Sequence, residues 1–137
     1  YMMSVSDTIE LVFKATHLAK GGEVFVLKMP VVKLGDLIDV VIEVYTEKYH
    51  NKKESIEKRI IGLRPGEKMF EELMTESEAA VAFETDDMLI IPPQLSMPSI
   101  NYTISEYPNA RQCTMTRYTS RDLQPISKEE IKRLLFL

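Results

Sequence analysis

What most restricts this chain is how little strand-forming sequence lies among its amphipathic helical stretches. Val24-Phe25-Val26-Leu27 is a short apolar run between Gly22 and Pro30, and it reads as a buried strand. Helical patterns bracket it. Ser4-Val5-Ser6-Asp7 resembles a helix start, Ile9, Val12, Phe13 and Thr16 recur at helical spacing, and Gly21-Gly22 ends the pattern, which predicts a helix from about Ser4 to Lys20. Lys33 to Tyr49 predicts a second helix, with Leu34, Leu37, Ile38, Val41, Ile42 and Tyr45 on one face.

Further along, His50-Asn51-Lys52-Lys53-Glu54 reads as a charged loop and Ile56 to Leu63 as a strand running into Arg64-Pro65-Gly66. Glu67 to Met74 reads as a helix whose early Glu71 and Glu72 suit the helix dipole; Thr75 to Ala82 either extends it or forms a short helix of its own. Met88-Leu89-Ile90-Ile91 is a strand stopped by Pro92-Pro93, and residues 92–112, with four prolines, read as a long irregular loop. Ser127-Lys128-Glu129-Glu130 is a capping box, and Ile131, Leu134 and Leu135 give the last helix an apolar face. Strands alternating with helices make an α/β unit, but three short strands cannot form a self-sufficient doubly wound sheet. The expectation is therefore an α/β piece of α+β character that adds edge strands and helices to a larger body. Tyr1 stands directly before a helix cap, which suggests a chain beginning partway through a longer protein.

The 137 residues suffice for one domain, 1–137, and a 45% apolar, 28% charged composition is ordinary for a globular chain. A net charge of −4 and a pI near 5.3 argue against a nucleic-acid or acidic-membrane partner. Cys113 is the only cysteine, so no intrachain disulfide exists, in keeping with a cytoplasmic location. It reads as a packed small residue rather than a nucleophile. No run approaches the roughly 20 apolar residues of a membrane span. His17 and His50 lack companions at metal-ligand spacing, so no metal is expected. The methionines, Met69 and Met74 among them, read as core fillers. Glu76, Glu78, Glu84, Asp86 and Asp87 read as a solvated acidic face.

The strongest local signal is Arg64-Pro65-Gly66-Glu67 between a predicted strand and a predicted helix. Pro65 holds Arg64 extended, Gly66 permits a tight turn, and a following helix would offer unpaired N–H groups. An anion would meet a guanidinium fork and a helix N-terminus together, with Glu67 free to accept from sugar hydroxyls. Spacing alone equally allows a plain strand-to-helix turn with a surface Arg–Glu pair. Arg111, Arg117 and Arg121 follow the long loop, either as phosphate-binding arginines or as surface charges balancing nearby acids.

Gly62-Leu63-Arg64-Pro65-Gly66-Glu67-Lys68-Met69-Phe70-Glu71-Glu72-Leu73 resembles a signature of extended short-chain dehydrogenases acting on nucleotide sugars. It is most similar to the polysaccharide-biosynthesis branch, with its UDP-N-acetylglucosamine 4,6-dehydratases and their 5-epimerising members. Residues 22–30 and 33–37 resemble the strand and helix preceding that signature. Arg117-Tyr118-Thr119-Ser120-Arg121-Asp122 and the capped helix resemble the branch's C-terminal extension, here 113–137. The resemblance implies a UDP-sugar-binding C-terminal part, with Arg64 on the diphosphate and Glu67 on the ribose; Lys68 is either a further substrate contact or a solvated lysine, and in the family-like tail Ser120 either touches the substrate or shapes the turn, with Arg121 beside it as a further candidate contact. It also implies NADP in the full-length enzyme, oxidation at the sugar C4, loss of water across C5 and C6, and hydride return to C6.

The chain departs from the family where that chemistry resides. No Gly-x-x-Gly-x-x-Gly loop is present, so this chain is expected to bind no cofactor, to lack the Rossmann half and to be inactive alone. Tyr49-His50-Asn51-Lys52-Lys53 matches the Tyr-x-x-x-Lys pair only in spacing and falls at a helix end, so no catalytic residue is assigned. The full-length enzyme is expected to be a homo-oligomer, and the isolated piece to self-associate. Other readings are a noncatalytic interaction module that pairs with another chain, and the tail of a nucleotide-sugar 4-epimerase.

Overall fold

A computed structural model describes residues 1–49, 56–95 and 100–136. In chain order the elements are α1 (Val5–Leu18), β1 (Val24–Leu27), α2 (Leu34–Tyr49), β2 (Glu72–Met74), α3 (Glu76–Ala79), β3 (Phe83–Glu84), β4 (Met88–Ile91), β5 (Arg111–Gln112), β6 (Tyr118–Thr119) and α4 (Lys128–Phe136), with one 3-10 turn at Ile104–Glu106. The fold is a small mixed α/β arrangement. Its main sheet runs β1-β4-β3-β5 with every pairing antiparallel, and β2 pairs antiparallel with β6 in a separate ribbon.

The centre is β4, all four of whose residues are buried. Its register against β1 places Val24 opposite Ile91 and Leu27 opposite Met88. Alternation along the strands then sorts the side chains to two faces. Val26, Leu89 and Ile91 join Met74, Ala79, Ala82 and Tyr118 on one side. Met88 and Ile90 join Tyr107 on the other, where Phe25, Leu27 and the α1 residues Leu11, Ala15 and Leu18 close over them.

Helix α1 begins where expected, with the Ser4 hydroxyl accepting from the Asp7 N–H at 3.1 Å. Its inward face differs from the expectation. Leu11, Ala15 and Leu18 meet the sheet, whereas Ile9, Val12, Phe13 and Thr16 are exposed, Phe13 at 72%. Both stripes have helical spacing, and the sheet can cover only one. Helix α2 similarly buries Val40 while Leu34, Ile38, Val41 and Tyr45 stay exposed. Its acidic side meets α4 through Lys128–Asp39 at 2.7 Å and Lys132–Glu43 at 3.1 Å. Such exposed pairs contribute about 0–1 kcal/mol each, so they set orientation more than stability. The α4 capping box is complete: Ser127 Oγ accepts from the Glu130 N–H, and Glu130 Oε2 accepts from the Ser127 N–H at 2.8 Å.

Three further expectations are corrected. Residues 56–63 run without ladder partners among the described residues and lie fully on the surface, with Ile60 96% exposed. Glu67–Met74 is not a helix; its last residues form β2, because β6 offers backbone partners that a local helix would forgo. Within residues 92–112, Tyr107 is buried in the core and Arg111–Gln112 forms an edge strand on β3. The Thr75–Ala82 alternative resolves to a separate one-turn helix, capped by Thr75 and Glu78. The loop at His50–Glu54, and most of the Tyr49–Lys53 match, lie outside the described residues.

Candidate nucleotide-sugar contact site

Arg64-Pro65-Gly66-Glu67 forms a closed β-turn. The Glu67 N–H donates to the Arg64 carbonyl at 3.0 Å, and Gly66 at the third position takes φ +88°. Proline second and a positive-φ glycine third are what a type II turn requires. Glu67 Oε2 also accepts from the Arg64 N–H at 2.8 Å, so the carboxylate folds back and stiffens the turn from its own side chain. The turn therefore owes its shape to residues within it.

No helix starts at the turn, so the expected helix N-terminus is absent there and any anion-binding capacity falls to side chains and turn backbone. Arg64, Glu67 and Lys68 are all exposed. Among the described residues, Arg64 and Lys68 make no ion pair. A cavity of about 580 Å³ lies elsewhere, between Ser4–Asp7 at the start of α1 and Glu130–Leu134 of α4, and no residue of the turn lines it. The turn is an open surface feature, chemically suited to an anion but not enclosing one.

Two of the C-terminal candidates come to the segment just past the turn. The Ser120 hydroxyl accepts from the Glu71 N–H at 2.9 Å, and the Ser120 N–H donates to the Glu71 carbonyl at 2.9 Å. The pairing extends the β2–β6 ribbon by one step and leaves the hydroxyl proton of Ser120 as a donor. The Arg121 guanidinium stands over the Phe70 ring, 5.4 Å from its centroid, and makes no ion pair among the described residues.

The other arginines are engaged. Arg111 donates to Glu84 at 2.8 Å and to Asp86 at 3.1 Å, and Arg117 donates to Asp122 at 2.7 Å. The hydrogen bond to Asp122 holds Arg117 above its usual range. Both match the reading of arginines balancing nearby acids.

Sequence reasoning missed three residues here. Glu84, expected on a solvated face, is 3% exposed and lies between Arg111 and Lys28. Burial pushes its carboxyl up, but the Arg111 hydrogen bond and the Lys28 charge outweigh that and hold it below the usual carboxylate range. Tyr118 locks β6 to the segment just past β1: its hydroxyl accepts from the Met29 N–H at 2.8 Å and donates to the Met29 carbonyl at 3.0 Å. Phe70 sits under Arg121, and an aromatic in the surface run 67–72 was the available signal. Met69, expected in the core, is 78% exposed, while Met74 is buried as expected. Cys113 is half-buried beside the core, in line with a packing role.

The family model described as polysaccharide biosynthesis protein matches residues 1–93, which include α1 through β4 and the turn. The chain is 43% identical over 135 residues, 98% of its length, to an uncharacterized membrane protein of Methanocaldococcus jannaschii. It is 29% identical over 136 residues to a UDP-glucose 4-epimerase of Rickettsia rickettsii, and 42% identical over 79 residues to the capsular polysaccharide biosynthesis protein CapD of Staphylococcus aureus. These matches cover 98% and 57% of this chain, and 37% and 12% of those proteins. Among solved structures, Pen from Bacillus thuringiensis is similar with a TM-score of 0.79 and 44% identity, over 98% of this chain and 37% of that one. The chain thus spans 37% of the length of the archaeal and rickettsial relatives. Among the described residues, no helix is long and apolar enough to cross a membrane. With the family match extending from α1 through the Arg64 turn to β4, the chain belongs to the polysaccharide biosynthesis protein family.

Proposed function

We propose that this chain is the UDP-sugar-binding portion of a nucleotide-sugar 4,6-dehydratase, with or without 5-epimerase activity, in capsular or surface polysaccharide biosynthesis. The observation that carries this reading is the exposed, self-stiffened Arg64–Glu67 turn, whose guanidinium has no acid to neutralise it among the described residues. A planar fork of this kind suits the diphosphate of a sugar nucleotide. Glu67 spends Oε2 on the turn and keeps Oε1 for a ribose hydroxyl. Lys68, Ser120 and Arg121 are the further contacts of this reading. The capsular role of CapD and the UDP-sugar chemistry in the name of the epimerase relatives support the substrate class.

NADP would supply hydride transfer in the full-length enzyme. The residues of this chain do not fit it: the β1–α2 loop, Lys28 to Lys33, contains no glycine, and Gly21-Gly22 lies between a helix and a strand, the reverse of the order a dinucleotide cradle needs. No step through the cofactor is derived from this chain. Its own residues bind and orient, and no acid/base pair is assigned among them.

A second reading, the tail of a nucleotide-sugar 4-epimerase, draws on the 29% identity that spans nearly the whole chain. The exposed apolar stripe of α1 favours a third role, as an interaction module pairing with another chain. Product analysis with UDP-N-acetylglucosamine, on the full open reading frame that encodes this chain, separates these. A 4-keto-6-deoxy sugar nucleotide supports the dehydratase, a C4 epimer supports the epimerase, and intact sugar nucleotide with no binding supports the interaction module.

A further inference from the structure

The turn's arginine is accompanied by a second guanidinium whose surroundings differ from those of its neighbours. Arg111 and Arg117 each donate to carboxylates. Arg121 instead lies over the face of Phe70, a ring that is itself 45% exposed. A guanidinium held over a ring face keeps the N–H groups of its own plane available for another acceptor, whereas one bound to a carboxylate has spent some of them.

The backbone explains how the two residues meet. Ser120 and Glu71 exchange two hydrogen bonds at 2.9 Å, one through the serine hydroxyl, and β6 pairs with β2 directly beyond. This fixes the residue before Arg121 against the residue after Phe70. The β-turn holds the Arg64 and Glu67 Cα atoms within about 7 Å, and Phe70 follows Glu67 by three residues, so Arg64 and Phe70 stand at most about 18 Å apart. Two arginine side chains of about 7 Å reach each, with a diphosphate between them, can close a span of that order.

We propose that Phe70 is a positioning residue: its ring holds the Arg121 guanidinium beside the Arg64–Glu67 turn, making Arg121 the second contact to a nucleoside diphosphate. The inference rests on the reading of the turn as a UDP-sugar site and adds how the C-terminal extension takes part in it. Ser120 serves the same end through the backbone, which accounts for a serine hydroxyl facing Glu71 rather than open solvent.

The test is an NMR titration of the 137-residue chain with UDP and, separately, with uridine. Replacing Arg121 with alanine is expected to weaken UDP about tenfold, as loss of a charge-assisted contact does. Phe70→Leu keeps an apolar side chain but no ring face, and is expected to weaken UDP about threefold while leaving uridine unchanged. Phe70→Tyr restores the stacking face and is expected to bind as the wild type does. If Arg64→Ala weakens UDP while Arg121→Ala and Phe70→Leu do not, the positioning role is overturned and the turn keeps its assignment. If Phe70→Leu weakens uridine as much as UDP, Phe70 acts on the base or on folding, and the proposal is overturned. If Arg64→Ala changes nothing, or the wild type shows no binding at millimolar UDP, the underlying reading falls and the inference with it.

Discussion

The main sheet and the segment from residue 56 to residue 69 are built on opposite terms. In β4, Met88, Leu89 and Ile90 are each 0% exposed, and the strand is paired on both edges. Between 56 and 69 every residue is exposed, Ile60, Ile61 and Leu63 included, and the turn at Arg64–Glu67 is held by its own proline, glycine and glutamate. The sheet derives its shape from long-range burial and the turn from local chemistry. The contrast teaches that the Arg64–Glu67 turn can be altered with little effect on the fold, and that the fold can be weakened without touching the turn's residues.

The largest effect is expected in the sheet. Leu89→Ala empties a fully buried position shared with Val26, Met74 and Tyr118, and should cost about 2–5 kcal/mol in urea unfolding. A loss within about 0.5 kcal/mol would mean that the face carrying Leu89, Val26 and Met74 is not a stabilising core.

An intermediate effect is expected at Glu84, where charge is buried in β3 beside the edge strand β5 of the same sheet. Its carboxyl is held below the usual range in the folded state, so the stability it gives is present above the unfolded carboxylate value of about 4.3 and is lost as pH falls through the folded value. Glu84→Gln should therefore flatten the acid limb of a stability-against-pH curve. An unchanged acid limb would show that the Lys28–Glu84–Arg111 arrangement is not coupled to folding.

The smallest effect is expected at Ile60. Exposed and without ladder partners among the described residues, it should tolerate Ile60→Ser within about 0.5 kcal/mol. A substantial loss would show that residues 56–63 are covered in solution, by a second copy or by another chain, and would sharpen the comparison in favour of the interaction reading.

The sequence made legible what depends on neighbours in the chain. The Ser4 cap, the strands Val24–Leu27 and Met88–Ile91, and the Ser127–Glu130 capping box follow from composition and spacing over a few residues, and all appear. The Arg64–Glu67 turn was likewise readable, because proline and glycine dictate it locally. What failed depends on distant partners. Glu67–Met74 has helical residues, but Glu71 and the strand beyond it pair with Ser120 and β6. Glu84 is buried because Arg111, far along the chain, comes to meet it. The inward stripe of α1 was ambiguous since two stripes share one period, and only the sheet's position chooses Leu11, Ala15 and Leu18. The arginines of the C-terminal part could not be told apart by type. Their partners divide Arg111, Arg117 and Arg121 into two bound to acids and one set over the Phe70 ring.

The most direct test of the central claim, that the Arg64 turn is a nucleotide-sugar contact, is a calorimetric titration of the chain with UDP-N-acetylglucosamine, wild type against Arg64→Ala. The account predicts that the substitution weakens binding by about tenfold or more while thermal unfolding is unchanged, because the exposed guanidinium supports no other group among the described residues. Equal affinity in the two proteins would contradict it.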